Sequence, residues 1–187
     1  MKKLPVKKSR AKQWFSVIAP KCFGEMEIGK TIASESHVLM GRRIETSAMD
    51  LTGNLEKYYF KFIFKVNRTE GDKVFTEFDG SECLRDYISR MVVRRVRRID
   101  VIQDLIMRDG KKIRVKGIAI LRGRVKSTIQ KTVRSRIKKL LKTEIENMTL
   151  EEFVKKLLSD EIKNKVLKEA RKVYPIRHFE IRKTEAI

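Results

Sequence analysis

The hydrophobic periodicity of this sequence changes once along the chain, and that change limits the folds available to it. From residue 57 to 66, apolar side chains recur at every second position, which is the period of a β-strand. After Lys126 they recur at steps of three and four, from Ile129 to Ile145, which predicts an amphipathic α-helix of about five turns. A chain with strands first and helices afterwards is expected to form an α+β fold.

Turn residues divide the first part of the chain into separate strands. Pro20 closes the first apolar run, Glu70-Gly71-Asp72 predicts one hairpin turn, and Asp109-Gly110 predicts a second. Between the two hairpins, apolar residues at helical spacing predict one short helix. The predicted strands are 14–18, 26–32, 57–66, 74–78, 99–107 and 113–121, and the short helix is 81–93.

Capping signals organise the last third of the chain. Thr149 with Glu152 forms a capping box that starts one helix, and Ser159 with its two acidic neighbours starts another, which Pro175 ends. Residues 176–183 predict a final strand. We expect an antiparallel β-sheet or small barrel over roughly residues 14–122, followed by C-terminal helices and this strand. Residues 1–13 are expected to be a flexible basic arm, and 14–187 a single globular domain.

The charge of the chain is strongly positive and unevenly distributed. Lysine and arginine number 45 against 24 acidic residues, a net charge of +21, while 41% hydrophobic residues leave enough material for a core. Residues 81–142 contain twenty basic and five acidic residues, and 111–142 contain no carboxylate at all. Such a segment repels itself, and a polyanion relieves that repulsion. Nucleic acid is the most common such partner.

The basic residues that we expect to bind RNA lie in the arm, in an arginine run and in the carboxylate-free segment. No motif for reading base edges is present, which favours a structured RNA recognised by shape. Three aromatic residues are candidates for stacking on bases, Trp14, Phe15 and Tyr59, and Trp14 is included among the predicted contacts. The predicted contacts are Lys7, Lys8, Arg10, Lys12, Trp14, Arg94, Arg95, Arg97, Arg98, Lys111, Lys112, Arg114, Lys116, Arg122, Arg124, Lys126, Lys131 and Arg134.

Several other classes of protein are disfavoured by the sequence. Two cysteines and two histidines are too few for a structural zinc site or a disulfide framework. No glycine pattern for nucleotide binding occurs, which disfavours nucleotide hydrolysis. We expect no cofactor, no bound metal and no catalytic residue. Neither a membrane-spanning stretch nor a signal peptide fits the apolar runs. We therefore expect a soluble intracellular protein without a membrane partner.

Two functional alternatives stay open at this point. A cluster of carboxylates could hold magnesium in an RNA-processing enzyme, although the same residues also suit a helix N-terminus and solvent. The cluster consists of Glu77, Asp79, Glu82 and Asp86. A DNA-compacting protein would carry a similar charge. The alternating Phe60, Phe62 and Phe64 could stack on bases, but a buried strand face explains them better.

Several short stretches together resemble a known family, the archaeal and eukaryotic small-subunit ribosomal protein S-one, also called S-three-Ae. The resemblance runs from about Trp14 to Lys183, and the order and spacing of the pieces carry it. These are Trp14-Phe15-Ser16-Val17-Ile18-Ala19-Pro20, Gly41-Arg42 with Glu45, Asp50-Leu51-Thr52-Gly53, Arg85-Asp86-Tyr87, Arg98-Ile99-Asp100, Tyr174-Pro175-Ile176-Arg177 and Ile181-Arg182-Lys183.

The resemblance implies a structural ribosomal protein with no enzymatic activity. It places such a protein on the platform of the small subunit, near the mRNA exit channel. The expected partners are small-subunit ribosomal RNA, neighbouring small-subunit ribosomal proteins and, near the exit channel, mRNA. The expected location is the cytoplasm, on the ribosome.

Overall fold

The computed structural model describes residues 11–187, which form eight β-strands and five α-helices. The strands are β1 (Gln13–Ile18), β2 (Glu27–Ala33), β3 (Arg43–Ser47), β4 (Phe60–Glu70), β5 (Lys73–Cys83), β6 (Arg97–Ile106), β7 (Lys112–Leu121) and β8 (Ile176–Ala186). The helices are α1 (Ala48–Thr52), α2 (Arg85–Met91), α3 (Ser127–Glu146), α4 (Leu150–Leu158) and α5 (Glu161–Ala170). The predicted α+β class, with helices in the C-terminal half and a strand after them, is confirmed.

Backbone contacts divide this part of the chain into two compact units. The first contains the described residues up to Ile44 together with Phe64–Glu77, and the second contains Glu45–Ile63 and Phe78–Ile187. Strands β4 and β5 each contribute residues to both units. The single domain 14–187 and the flexible arm stay predictions, and residues 1–10 of that arm lie outside the described chain.

In the first unit, β1 has two partners with opposite orientations. It pairs antiparallel with β2, from Gln13 opposite Ala33, and parallel with β5, from Ser16 opposite Lys73. A core of Phe15, Ala33, Leu39, Val66 and Val74 is buried between the elements. The sheet is therefore open and mixed where a purely antiparallel one was expected, because turn signals report only on strands adjacent in sequence.

In the second unit, the strands follow the order β5-β8-β7-β6, and all of these pairs are antiparallel. Strand β8 thus lies between β5 and β7, although it comes after both in the sequence. The second half of β7 is buried on both faces, so Ile118 and Ile120 are as inaccessible as Ala119 and Leu121. The alternation of the sequence predicts Ile113, Val115, Ala119 and Leu121 as inward positions; all four are buried, and burial extends beyond this alternation.

The apolar faces of the predicted helices and of β4 are in the core. Helix α3 packs against β6 and α5, and its apolar face is fully buried. This face consists of Val133, Ile137, Leu141 and Ile145. The capping box at Thr149 is formed as predicted. Helix α5 ends at Ala170 and not at Pro175, so the predicted length of this helix is wrong.

The phenylalanine side chains of β4 are core residues. Phe60 is 7% exposed, and Phe62 and Phe64 are fully buried. Their rings pack edge to face with neighbours, Phe62 with Phe78 and Phe64 with Phe23. They are therefore not a platform for stacking bases. Within the described part of the chain, no helix has the length and apolar character needed to cross a bilayer.

Candidate nucleic-acid interface

Strand register brings three basic segments to one end of the sheet in the second unit. Arg97, at the start of β6, is opposite Leu121, at the end of β7, and Leu121 is also opposite Ile176, at the start of β8. Residues 94–98, 122–126 and 171–177 therefore meet at this end, which we call the arginine end. Its basic residues are Arg94, Arg95, Arg97, Arg98, Arg122, Arg124, Lys126, Arg171, Lys172 and Arg177.

Most of the cations at the arginine end have no acidic partner. Arg94 and Arg95 are exposed in the turn before β6, and Arg122, Arg124 and Lys126 are exposed between β7 and α3. None of these five forms an ion pair with any residue from 11 to 187. Their charge is therefore available to an external anion, and arginine binds phosphate with two parallel hydrogen bonds.

Hydrogen bonds fix the arginine run to the long helix α3. The Arg97 Nε donates to the Gln130 Oε1 at 3.1 Å, and the Gln130 Nε2 donates to the Val125 carbonyl at 2.8 Å. The Arg134 Nε donates to the Asp100 backbone carbonyl at 3.2 Å. These contacts hold the predicted residues Arg97 and Arg134 in place beside Lys131, which is exposed on the first half of α3.

The predicted lysines of the β6–β7 turn lie at the opposite end of the hairpin. Lys112 is opposite Ile106, and Lys111 precedes it in the turn, where both are exposed. A strand of ten residues, as β7 is, extends about 33 Å, so these lysines do not join the arginine end in one patch. These two lysines and the arginine end are therefore separated along the β6–β7 hairpin.

Three predicted RNA contacts on the sheet face are occupied by internal ion pairs. Arg114 donates two hydrogen bonds to Asp104, at 2.6 and 2.7 Å, and the Lys116 Nζ lies 2.8 Å from Glu185. Arg98 forms a similar pair with Asp100 at 2.8 Å. The hydrogen bond from Arg114 lowers the pKa of Asp104, and that from Lys116 lowers the pKa of Glu185.

The ion pairs of Arg114 and Lys116 form because neighbouring strands bring residues together that are distant in the sequence. Counting charges along the sequence therefore does not reveal them. The segment 111–142 contains no acid, but β6 and β8 place carboxylates directly beside it. The role of Arg98, Arg114 and Lys116 in binding RNA stays a prediction. A phosphate at these positions would have to compete with a carboxylate already in place.

The remaining predicted contacts belong to the N-terminal region. Lys7, Lys8 and Arg10 lie outside the described residues. Lys12 is exposed just before β1, and the Trp14 side chain is 62% exposed on β1, opposite Ile32 of β2. Trp14 is thus available for stacking, and its contact with RNA stays a prediction. Phe15 and Tyr59 are buried, at 3% and 8% exposure, so these two stacking candidates were wrong.

The acidic residues of the magnesium alternative do not form a metal site. Glu77 is exposed and accepts a hydrogen bond from Asn67 at 2.6 Å, and Glu82 is paired with Lys183 at 3.3 Å. Asp86 is exposed in the first turn of α2. No group of three metal-ligating side chains occurs among residues 11–187. The geometry gives the enzyme alternative no support.

A buried ionic cluster in the second unit has a structural role. The Glu180 carboxylate on β8 is 2.5 Å from the Lys163 Nζ on α5, and the Tyr87 hydroxyl donates to it at 3.0 Å. The Tyr59 ring stacks on that of Tyr87 with centroids 3.8 Å apart. Burial raises the pKa of Glu180, and burial followed by the nearby Glu180 charge raises the pKa of Tyr59 to about 12.

Two arginines of the arginine end were not predicted from the sequence. Arg171 and Arg177 lie in residues 143–187, where ten basic and nine acidic residues nearly cancel, so their segment shows no charge excess. Only the pairing of β8 with β7 brings them to Arg122. The Tyr174-Pro175-Ile176-Arg177 stretch, which contributes to the resemblance, is the signal that could have identified Arg177.

Comparisons with known proteins agree on one family. The family model described as the Ribosomal S3Ae family matches residues 1–187. A protein named small ribosomal subunit protein eS1 from Sulfurisphaera tokodaii is 36% identical over 180 residues, covering 96% of this chain and 93% of its own length. Proteins of the same name from Methanothrix thermoacetophila and Saccharolobus islandicus are 35% and 32% identical, with 96% of this chain and 85% and 86% of their own lengths covered.

Proposed function

Because the chain belongs to the ribosomal S3Ae family, we propose that it is a structural constituent of the small ribosomal subunit that binds ribosomal RNA through the arginine end. Its task is to neutralise phosphates and to hold folded RNA in place, with no catalytic step. The carboxylate cluster considered for a magnesium enzyme has no part in this function.

One observation carries the proposal. At the arginine end, Arg94, Arg95, Arg122, Arg124 and Lys126 are exposed without acidic partners, whereas Arg98, Arg114 and Lys116 are each paired with a carboxylate. An unpaired cation gains more from a phosphate than a paired one, because no existing ion pair has to be broken. Arg97 and Arg134 are held by hydrogen bonds beside them, which limits the conformational entropy that they lose on binding.

The proposal extends to partners and place, on the strength of the resemblance. We place the protein on the platform of the small subunit near the mRNA exit channel, with neighbouring ribosomal proteins and mRNA as further partners, in the cytoplasm. The N-terminal region would extend the RNA contact surface through its predicted contacts, which are Lys7, Lys8, Arg10, Lys12 and Trp14. Lys111 and Lys112 would form a second, separate contact.

The decisive experiment reverses charge at the arginine end. The variant R94E/R95E/R97E should bind purified small-subunit ribosomal RNA about 100-fold more weakly, because three phosphate contacts become repulsions. The same variant should be lost from small subunits that sediment through a high-salt gradient. Filter binding measures the affinity, and thermal unfolding verifies that the fold persists.

A matched variant separates location from net charge. K155E/K165E/K168E changes the overall charge by the same amount, on exposed positions of α4 and α5. It should retain RNA affinity to within about fivefold, since long-range effects are screened at physiological salt. Equal losses in the two variants would show that net charge alone drives binding and would refute this placement of the interface.

A further inference from the structure

A cleft opens at the arginine end of the second unit. Its volume is about 690 Å³, within the range of sites that bind small molecules. The lining residues are Val96, Arg122, Arg171, Pro175, Ile176 and Arg177. They come from the arginine run, the end of β7, the segment after α5 and the start of β8.

Hydrogen bonds tie the walls of this cleft together. The Arg122 N–H donates to the Pro175 carbonyl at 3.2 Å, and the Tyr174 hydroxyl donates to the Arg122 carbonyl at 3.0 Å. The Arg171 Nε donates to the Ile176 carbonyl at 3.1 Å, which leaves the two terminal nitrogens of this guanidinium for a ligand. The cleft is therefore formed before any ligand arrives.

The lining combines two chemistries. Arg122, Arg171 and Arg177 supply three guanidinium groups, and no carboxylate lines the cleft. Val96, Pro175 and Ile176 supply apolar surface. Burial first, and the positive charge of Arg177 second, lower the pKa of His178, which follows Arg177 on β8. A ligand that fits must carry several negative charges beside a flat apolar group.

We propose that this cleft holds a single unstacked nucleotide of RNA, with its flanking phosphates on Arg122, Arg171 and Arg177 and its base against Val96, Pro175 and Ile176. A base that has left its helix offers a flat face to an apolar wall or to a guanidinium plane. A duplex, whose bases stay stacked, offers only its phosphates. This inference rests on the proposed RNA-binding function and adds a preference for single-stranded nucleotides.

The test compares a single-stranded RNA of about eight nucleotides with an RNA duplex, using the full-length purified protein. R122Q/R177Q should weaken binding of the single strand about tenfold or more, because the two guanidinium groups that hold its flanking phosphates are lost. The charge-preserving R122K/R177K should restore less than half of the lost binding free energy, because lysine offers no planar fork. Duplex affinity should fall by a smaller factor than single-strand affinity in either variant, because the duplex loses phosphate contacts only.

The matched control is K155Q/K165Q, which also removes two charges, from exposed lysines of α4 and α5 that do not line the cleft. It should leave single-strand binding within about twofold, since long-range charge effects are screened at physiological salt. Thermal unfolding should be unaltered in both arginine variants, because neither Arg122 nor Arg177 makes a side-chain hydrogen bond within residues 11–187.

Three outcomes would overturn the inference. They are an unchanged single-strand affinity in R122Q/R177Q, equal losses for the single strand and the duplex, and full recovery with lysine. The last two would reduce the cleft to part of a general electrostatic surface. In each case the protein still binds RNA, so the proposed function survives. Failure of the unaltered protein to bind either RNA would refute the proposed function itself.

Discussion

At the scale of single residues, Arg95 combines a strained backbone with an exposed charge. Its φ of 68° lies in the left-handed region, which an L-residue other than glycine enters at a cost of about 1 kcal/mol. The turn that contains it directs the chain from α2 into β6, between Arg94 and Val96. An arginine at a position that suits glycine indicates that its side chain serves a purpose other than stability.

We expect R95G to separate these two effects. The variant should increase the free energy of unfolding by about 0.5 to 1 kcal/mol. Relief of the left-handed backbone strain stabilises the folded state, and the greater conformational entropy of glycine in the unfolded chain offsets part of this stabilisation. Its affinity for ribosomal RNA should fall. Urea unfolding and filter binding measure the two quantities. R94G, which loses the same charge at an ordinary φ, should bind RNA more weakly without any gain in stability.

At the scale of elements, the buried pair Lys163–Glu180 connects α5 to β8. Glu180 is 5% exposed, and burial raises its pKa. Its ionisation therefore opposes folding: the stability contributed by this group is full below the pKa of the unfolded chain and is lost as the pH rises through the folded pKa. The Lys163 ammonium and the Tyr87 hydroxyl limit this loss at neutral pH.

K163M should destabilise the protein by about 3 kcal/mol at pH 7, because it leaves a buried carboxylate without its cation. The loss of Lys163 should raise the pKa of Glu180 further, so that this carboxyl is protonated at acidic pH. The difference in unfolding free energy between K163M and the unaltered protein should therefore become smaller as the pH falls. Urea unfolding at several pH values measures it. K165M, at the surface pair with Glu144, should cost less than about 1 kcal/mol. A cost of K163M that does not change with pH would contradict this role of Glu180.

Elements were predictable from the sequence to the extent that their signals are local. The alternation in β4, the apolar spacing in α3 and the capping box of α4 are each contained in a short window. The helix and the capping box were located correctly, whereas the strand predicted over 57–66 is Phe60–Glu70 in the structure. The parallel pairing of β1 with β5 was not predictable, because no local pattern links residues 16 and 73. The C-terminal end of α5 was not predictable either, because Pro175 marks only the last residue that the helix could reach and α5 already ends at Ala170.

At the scale of the whole molecule, the excess charge has a measurable consequence. If about ten cations each neutralise one phosphate, the logarithm of the RNA-binding constant should fall with the logarithm of salt concentration at a slope of about −7 to −9. R94E/R95E/R97E should make this slope shallower by about 2 to 3. Titrations between low and physiological salt measure both slopes. A slope near −2 in the unaltered protein would contradict a broad phosphate interface.

The candidate site was only partly predictable at this scale. Composition located the excess charge in residues 81–142, but strand pairing determines which of those charges are available. Arg114 and Lys116 pair with acids from β6 and β8, and Arg171 and Arg177 join the arginine end from a segment of balanced charge. A linear count of charges contains neither effect, since both depend on contacts between residues far apart in sequence.

The position of β8 between β5 and β7 has a consequence for how the molecule is made. A ribosome synthesises β5, β6 and β7 well before β8. Until β8 is made, the edges of β5 and β7 that later pair with it have no hydrogen-bond partners in the sheet. When residues 176–186 pair as β8, they join β5 to β7, and they also bring Ile176 and Arg177 into the lining of the nucleotide cleft. Truncated translation products that lack this stretch would therefore have neither a finished sheet nor a finished cleft, which ties RNA recognition to completed synthesis.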